Sequence, residues 1–306
     1  MFWLAFPFIS AFGYSLSGFF DNFFVDVYCR RLNAMCMIGV YAALNLLICF
    51  GILVWRWDLV INSNLGLTEV GVFLLSAATN FLGSIPYYKA LKKNDTTDVT
   101  LLVQMSPVIA LVLSFVFLGE AISPMQFGAF ILIFAAIMLI VLNVGKKRMK
   151  SGLKVVSLVL AACVCWVVAD ILFASQARGT EFITSFFWFI LGGAIAQIIA
   201  LIFVKSWRKD AKKFLSKNSK KKILTITINQ LVWLVAAIAW RYGLTVMPVA
   251  ILSVVSGVLR LVLTFLLGII LTRIWPKFGR EKISKKTVIN HTVAIVILAF
   301  ALVMIG

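Results

Sequence analysis

Ten stretches of about 20 apolar residues, separated by short polar or basic segments, constrain this chain more than any motif it carries. They read as residues 2–20, 35–55, 69–91, 98–118, 124–145, 155–175, 182–204, 223–245, 248–271 and 287–306. Each is long enough to cross about 30 Å of hydrocarbon as a helix. In a bilayer every backbone N–H and C=O must be satisfied internally, and alternating β-barrel patterning is absent, so helices are expected. With 62% hydrophobic and 13% charged residues, the chain has too little polar surface to cover a water-soluble globule. The fold class that follows is an all-α polytopic membrane protein with ten transmembrane helices.

A net charge of +18 would suggest nucleic acid in a soluble protein, but its placement argues otherwise. All but four of the 29 Lys and Arg residues lie in the odd-numbered loops. The exceptions are Arg56, Arg178 and Arg241, which fall to the even-numbered loops, and Arg260, inside the ninth run. Cationic loops stay cytoplasmic, which predicts a multi-pass protein of the cell membrane with both termini outside. The basic runs then read as topology signals and contacts to anionic lipid headgroups, with no nucleic-acid partner. Cys29, Cys36, Cys49, Cys163 and Cys165 form no spaced disulfide framework and no Cys/His cluster with zinc spacing. They are expected to be buried, inert thiols, and neither metal nor cofactor is expected. The lone histidine, His291, reads as a surface-level helix residue of the tenth run, with proton relay as the alternative.

One stretch recurs. Ser106 to Glu120 reads SPVIALVLSFVFLGE, and Ser256 to Ile270 reads SGVLRLVLTFLLGII, with six of fifteen aligned positions identical. Flanking landmarks recur too: Gly13-Tyr14 is echoed by Cys165-Trp166, and Tyr88 to Leu91 by Tyr242-Gly243-Leu244. Homologous helices five crossings apart traverse the membrane in opposite directions, so this duplication predicts two inverted five-helix repeats. The expected units are residues 1–145, a basic linker at 146–154, and a diverged second repeat at 155–306.

The first half also carries Tyr88-x-Ala90-Leu91, Pro107, Leu118-Gly119-Glu120 and Gln126-x-Gly128 ahead of an apolar run. In these features it resembles an EamA-type repeat of the drug/metabolite transporter superfamily. The resemblance implies ten spans in two repeats, with Pro107, Gly119 and Glu120 as structural motif positions. Where the first half has Leu-Gly-Glu the second has Gly268-Ile269-Ile270, and Glu281 is the nearest counterpart of Glu120. Resemblance and repeat together lead to the expectation of a secondary transporter. It would move a small polar metabolite, an amino acid or organic anion, by alternating access. A membrane-embedded scaffold and a lipid-acting enzyme are the alternatives, but the scattered acids and single histidine offer no catalytic constellation.

Polar residues at mid-depth are the candidate substrate contacts. Arg260 lies about 18 Å into its span at 1.5 Å per residue. A guanidinium there must face protein, water or an anion. A pair with Asp170, the acid placed well inside a run, competes with an anionic group of the substrate and with snorkelling to the interface. Asn80, Gln104, Ser256, Asn229 and Gln230 could orient polar cargo, while Tyr14, Trp166, Trp233 and Trp240 could supply flat apolar walls. Tyr87 and Tyr88 are expected in the interfacial aromatic belt. Pro107 leaves either a packed kink or a cavity-lining break. The sequence is compatible with a homodimer.

Overall fold

The computed structural model describes residues 4–92, 96–120, 123–125, 127–132, 135, 152–216, 219–275, 293, 296, 297 and 300. Gln126, most of the fifth and tenth runs, the linker at 146–151, Glu281 and His291 lie outside the described residues. Ten helices are defined and no strand occurs among the described residues. In the first half they are α1 (Ala5–Phe23), α2 (Ile38–Ile61), α3 (Leu67–Leu91), α4 (Thr96–Val103) and α5 (Ser106–Leu118). In the second they are α6 (Gly152–Ala177), α7 (Phe182–Phe203), α8 (Lys205–Ser216), α9 (Ser219–Val246) and α10 (Val249–Ile274). Six of them, α2, α3, α6, α7, α9 and α10, are long and apolar enough to cross a membrane. Their outward faces carry exposed apolar side chains, such as Leu47, Phe50, Val54 and Trp55 of α2, as a lipid-facing surface requires.

Hydrogen bonds gather the helix ends into two sets. At the basic end, Asn33 N donates to Asp210 Oδ2 at 2.9 Å and Lys92 Nζ to the Leu32 carbonyl at 2.6 Å. At the opposite end, Thr184 Oγ1 donates to the Leu59 carbonyl at 2.8 Å, and Val249 N donates to Glu120 Oε2 at 2.8 Å. The last contact joins the C-terminal end of α5 to the N-terminal end of α10. Farther along both helices, Gly257 sits against Gln104 and Pro107. The two helices therefore run antiparallel.

Local chemistry explains the irregularities. The fourth run is cut into α4 and α5 by a turn at Gln104-Met105, because Pro107 has no N–H for the carbonyl of Val103. The Cys163 thiol takes that carbonyl at 3.8 Å, and Gln104 Nε2 donates to the carbonyl of Thr100 at 3.4 Å. Gln104, Ser106 and Pro107 all face the interior cavity, so this is a cavity-lining break. At its far end α5 stops at Gly119, whose φ of 65° needs the missing Cβ, and Glu120 N closes back on the Ser114 carbonyl. Gly13 of α1 lies so close to α9 that a Cβ there would meet Ala236 Cβ at 2.7 Å, which lets two backbones cross in contact.

Two expectations are corrected here. Cys29 and Cys36 are joined in a disulfide that closes the loop after the π-helical turn Phe24–Tyr28, whereas Cys49, Cys163 and Cys165 are free. Spacing alone misses this pair because its seven-residue separation matches no framework. Arg241 is not a loop residue but is buried within α9, only 3% exposed.

Candidate functional site

Between the two halves lies a cavity of about 250 Å3. All eleven proposed contact residues line it: Tyr14, Asn80, Gln104, Trp166, Asp170, Asn229, Gln230, Trp233, Trp240, Ser256 and Arg260. Pro107 lines it as well, whereas Gly119 and Glu120 stand apart at the end of α5. The walls come from α1, α2, α3, α6, α7, α9 and α10 and from the break between α4 and α5.

At the end away from the basic loops two layers of contacts join the helices. Deeper, Arg241 Nη1 of α9 lies 2.8 Å from Asp170 Oδ1 of α6, with both side chains almost fully buried. The same carboxylate oxygen accepts from Trp240 Nε1 at 3.1 Å. The Arg241 guanidinium carbon stands 4.0 Å from the Phe189 ring centroid and 5.0 Å from that of Phe173, so aromatic faces add to its neutralisation. Of the competing readings of Arg260, the pair with Asp170 is not formed. Asp170 is satisfied by the neighbouring helix, and Arg260 is not its partner. Above that layer, Glu120 accepts from Arg178 Nη2 and from Val249 N. Arg178 also donates to the carbonyls of Leu244 at 3.2 Å and Met247 at 3.0 Å. Glu120 and Arg178 together thus tie the ends of α5, α6 and α9 to the start of α10.

Arg260 projects into the cavity rather than snorkelling. Its guanidinium carbon is 5.7 Å from the Tyr14 ring centroid, and its Nε is buried with no hydrogen-bond partner. Ser15 Oγ donates to the Arg260 carbonyl at 3.1 Å and accepts from Thr264 Oγ1 at 3.0 Å. Ser256 Oγ lies 3.0 Å from Ser10 Oγ and also reaches the Pro7 carbonyl at 3.4 Å. The Ser256 hydroxyl is therefore committed to holding α10 on α1.

Toward the basic end the lining is amide and phenol. Gln230 Nε2 donates to Asn45 Oδ1 at 2.8 Å, and Asn45 Nδ2 to Gln197 Oε1 at 3.3 Å, a ladder across α9, α2 and α7. Asp21 Oδ1 accepts from Tyr88 OH at 2.9 Å and from Asn229 Nδ2 at 3.2 Å. Asn229 Nδ2 also reaches Tyr41 OH at 3.4 Å. Tyr87 and Tyr88 line the cavity, so they are not interfacial belt residues.

Asp21, Tyr41, Asn45, Gln197 and Arg241 escaped the sequence reading. Asp21 was the sharpest loss: ending the first run at residue 20 left it outside, yet α1 continues to Phe23 and buries it. Asp170 is consequently not the sole acid inside a span. The available signal for Arg241 was depth, since it and Asp170 both lie within about two turns of helix ends that meet at the same face. Among the described residues no group of His, Cys, Asp and Glu is arranged to hold a metal ion.

Comparison with known proteins adds the family. Residues 1–142 match the EamA-like transporter family model. Across this segment the chain is similar to the EamA-like transporter family. That family lies within the drug/metabolite transporter superfamily and comprises transporters, which makes this a transporter-like, multi-pass membrane protein. No curated protein matches the sequence. One solved crystal structure is similar over 99% of this chain and 94% of its own, with a TM-score of 0.61 at 15% identity, which shows a shared fold alone. The EamA-like match ends near the fifth run and leaves the second half to the fold likeness.

Proposed function

We infer that this EamA-like protein is a secondary transporter that carries a small polar metabolite, of the amino acid or organic anion class, by alternating access. The observation that carries this reading is the cavity between the halves, walled by aromatic rings and amides and holding an Arg260 whose Nε has no partner. A scaffold has no need of such a chamber, and a buried unpartnered donor marks where a ligand group would sit. The antiparallel α5 and α10 support two inverted repeats, 1–145 and 155–306, around a shared site. Such an arrangement has two near-equivalent packings, one open to each side. In this reading the contacts at Asp170–Arg241 and Glu120–Arg178 would hold the chamber shut toward that face.

Arg260 is the residue that would grip an anionic group of the cargo. The Arg260→Lys chain, reconstituted in proteoliposomes, is expected to take up carboxylated substrates at least about tenfold more slowly, because a point charge replaces a planar fork. Uptake at the wild-type rate would remove that role. The charge bias supports a cell-membrane location with the basic loops inside and both termini outside. A reporter fused after Gly306 should be active only on the outer face, and a cytoplasmic signal would reverse the orientation.

A further inference from the structure

Four charged residues line the cavity: Asp21, Asp170, Arg241 and Arg260. Asp170 and Arg241 touch and neutralise one another. The remaining two do not touch. Among the described residues the ion pairs are Arg56–Asp58, Glu120–Arg178 and Asp170–Arg241, so neither Asp21 nor Arg260 has a counter-ion in contact. Asp21 is held only by neutral donors, Tyr88 OH and the Asn229 amide, and both bonds fall on Oδ1. The groups that face Asp21 from the packed elements are Tyr41 of α2, Tyr87 and Tyr88 of α3, Asn229 of α9 and Arg260 of α10. The single cation in this set is therefore the one expected to bind cargo.

A low-dielectric chamber disfavours any net charge, and these residues permit two neutral states. In one, an ionised Asp21 is balanced across the cavity by Arg260. In the other, Arg260 holds a monoanion and Asp21 carries a proton. A monoanion that entered the first state alone would leave one negative charge uncompensated. We propose that an organic monoanion at Arg260 and a proton on Asp21 bind together, one for one, so that the loaded and empty carriers are both neutral.

The reaction at Asp21 is a simple protonation: the carboxylate takes a proton from hydronium, one O–H bond forming on Asp21 as one breaks on hydronium and water is left. The structure supplies the group that this acid needs. Asn229, whose amide already donates to Asp21, has its Oδ1 buried and without a partner. A carboxyl O–H is the donor that this acceptor lacks. Trp166, Trp233 and Tyr14 on the walls suit an anion with a flat apolar body. This inference rests on the transport reading for its purpose, but the linkage itself is a binding property.

Benzenesulfonate is a suitable probe, because its sulfonate keeps its charge throughout and any proton taken up belongs to the protein. The full chain in detergent would be titrated by tryptophan fluorescence in a weakly buffered solution with a pH indicator. The expected result is about one proton taken up per anion once Asp21 is ionised. Affinity should then fall about tenfold for each further pH unit, by reciprocity of the two sites. Asp21→Asn should bind with no proton uptake and no pH dependence, Asp21→Glu should restore both, and Arg260→Gln should not bind. Wild-type binding that is flat from roughly pH 5 to 9 without proton uptake would overturn the proposal. So would proton uptake that persists in Asp21→Asn, or no wild-type binding at any pH. Proteoliposome flux decides the parent reading separately: linked binding without flux removes transport and keeps the site, whereas flux without linked protons does the reverse.

Discussion

Replacing Arg241 by glutamine is expected to destabilise the protein by about 3–5 kcal/mol, read as a large fall in melting temperature in detergent. The loss would come less from the missing attraction than from Asp170, left ionised in an apolar interior with Trp240 as its remaining donor. The side chains are 4% and 8% exposed, so the cavity they line can solvate the stranded charge only in part. Asp170→Asn should cost a similar amount, because it strands the guanidinium over the rings of Phe173 and Phe189. The double variant Asp170→Asn with Arg241→Gln buries no charge and should recover most of the stability. Strictly additive losses in the double would show that the two residues do not act as a pair.

The second large effect is expected at Glu120. Its carboxylate receives Arg178 and the backbone N–H that opens α10, so Glu120→Gln removes two charge-assisted bonds at once. Each is worth about 1.5–3 kcal/mol. Loss of even one would shift an equilibrium between closed and open forms of this end about tenfold or more. A cysteine at Ser253, which lines the cavity near this end, would report the shift through a membrane-impermeant thiol reagent. In a background with Cys49, Cys163 and Cys165 changed to alanine, labelling should accelerate in Glu120→Gln. An unchanged rate would mean that these contacts pin the helix ends without governing access.

The helices were legible because the bilayer forces apolar runs of fixed length, and that requirement is local in sequence. The cavity residues were legible for the converse reason: an amide such as Asn80 or Gln104 inside such a run is costly against lipid and is expected to turn inward. Partnership was not legible. The cost of burying Arg260 and Asp170 says that each must be satisfied, but depth along a helix carries no record of which face it presents. The direction each helix turns gives Asp170 to Arg241 and leaves Arg260 with the ring of Tyr14. Ending a run at its first charge also excluded Asp21, since hydropathy penalises the residues a polar chamber needs.

The divided fourth crossing has a mechanical consequence. At Gln104-Met105 the helical ladder is already interrupted, and its loose carbonyls are met by the side chains of Cys163 and Gln104. A helix of unbroken bonds resists bending along its whole length. This one can flex at a single joint, where the rearrangement is confined to a thiol and an amide, and that joint lies beside Gly257 on the opposing helix. The two rods α4 and α5 can therefore pivot independently, one against the basic face and the other against the latched face.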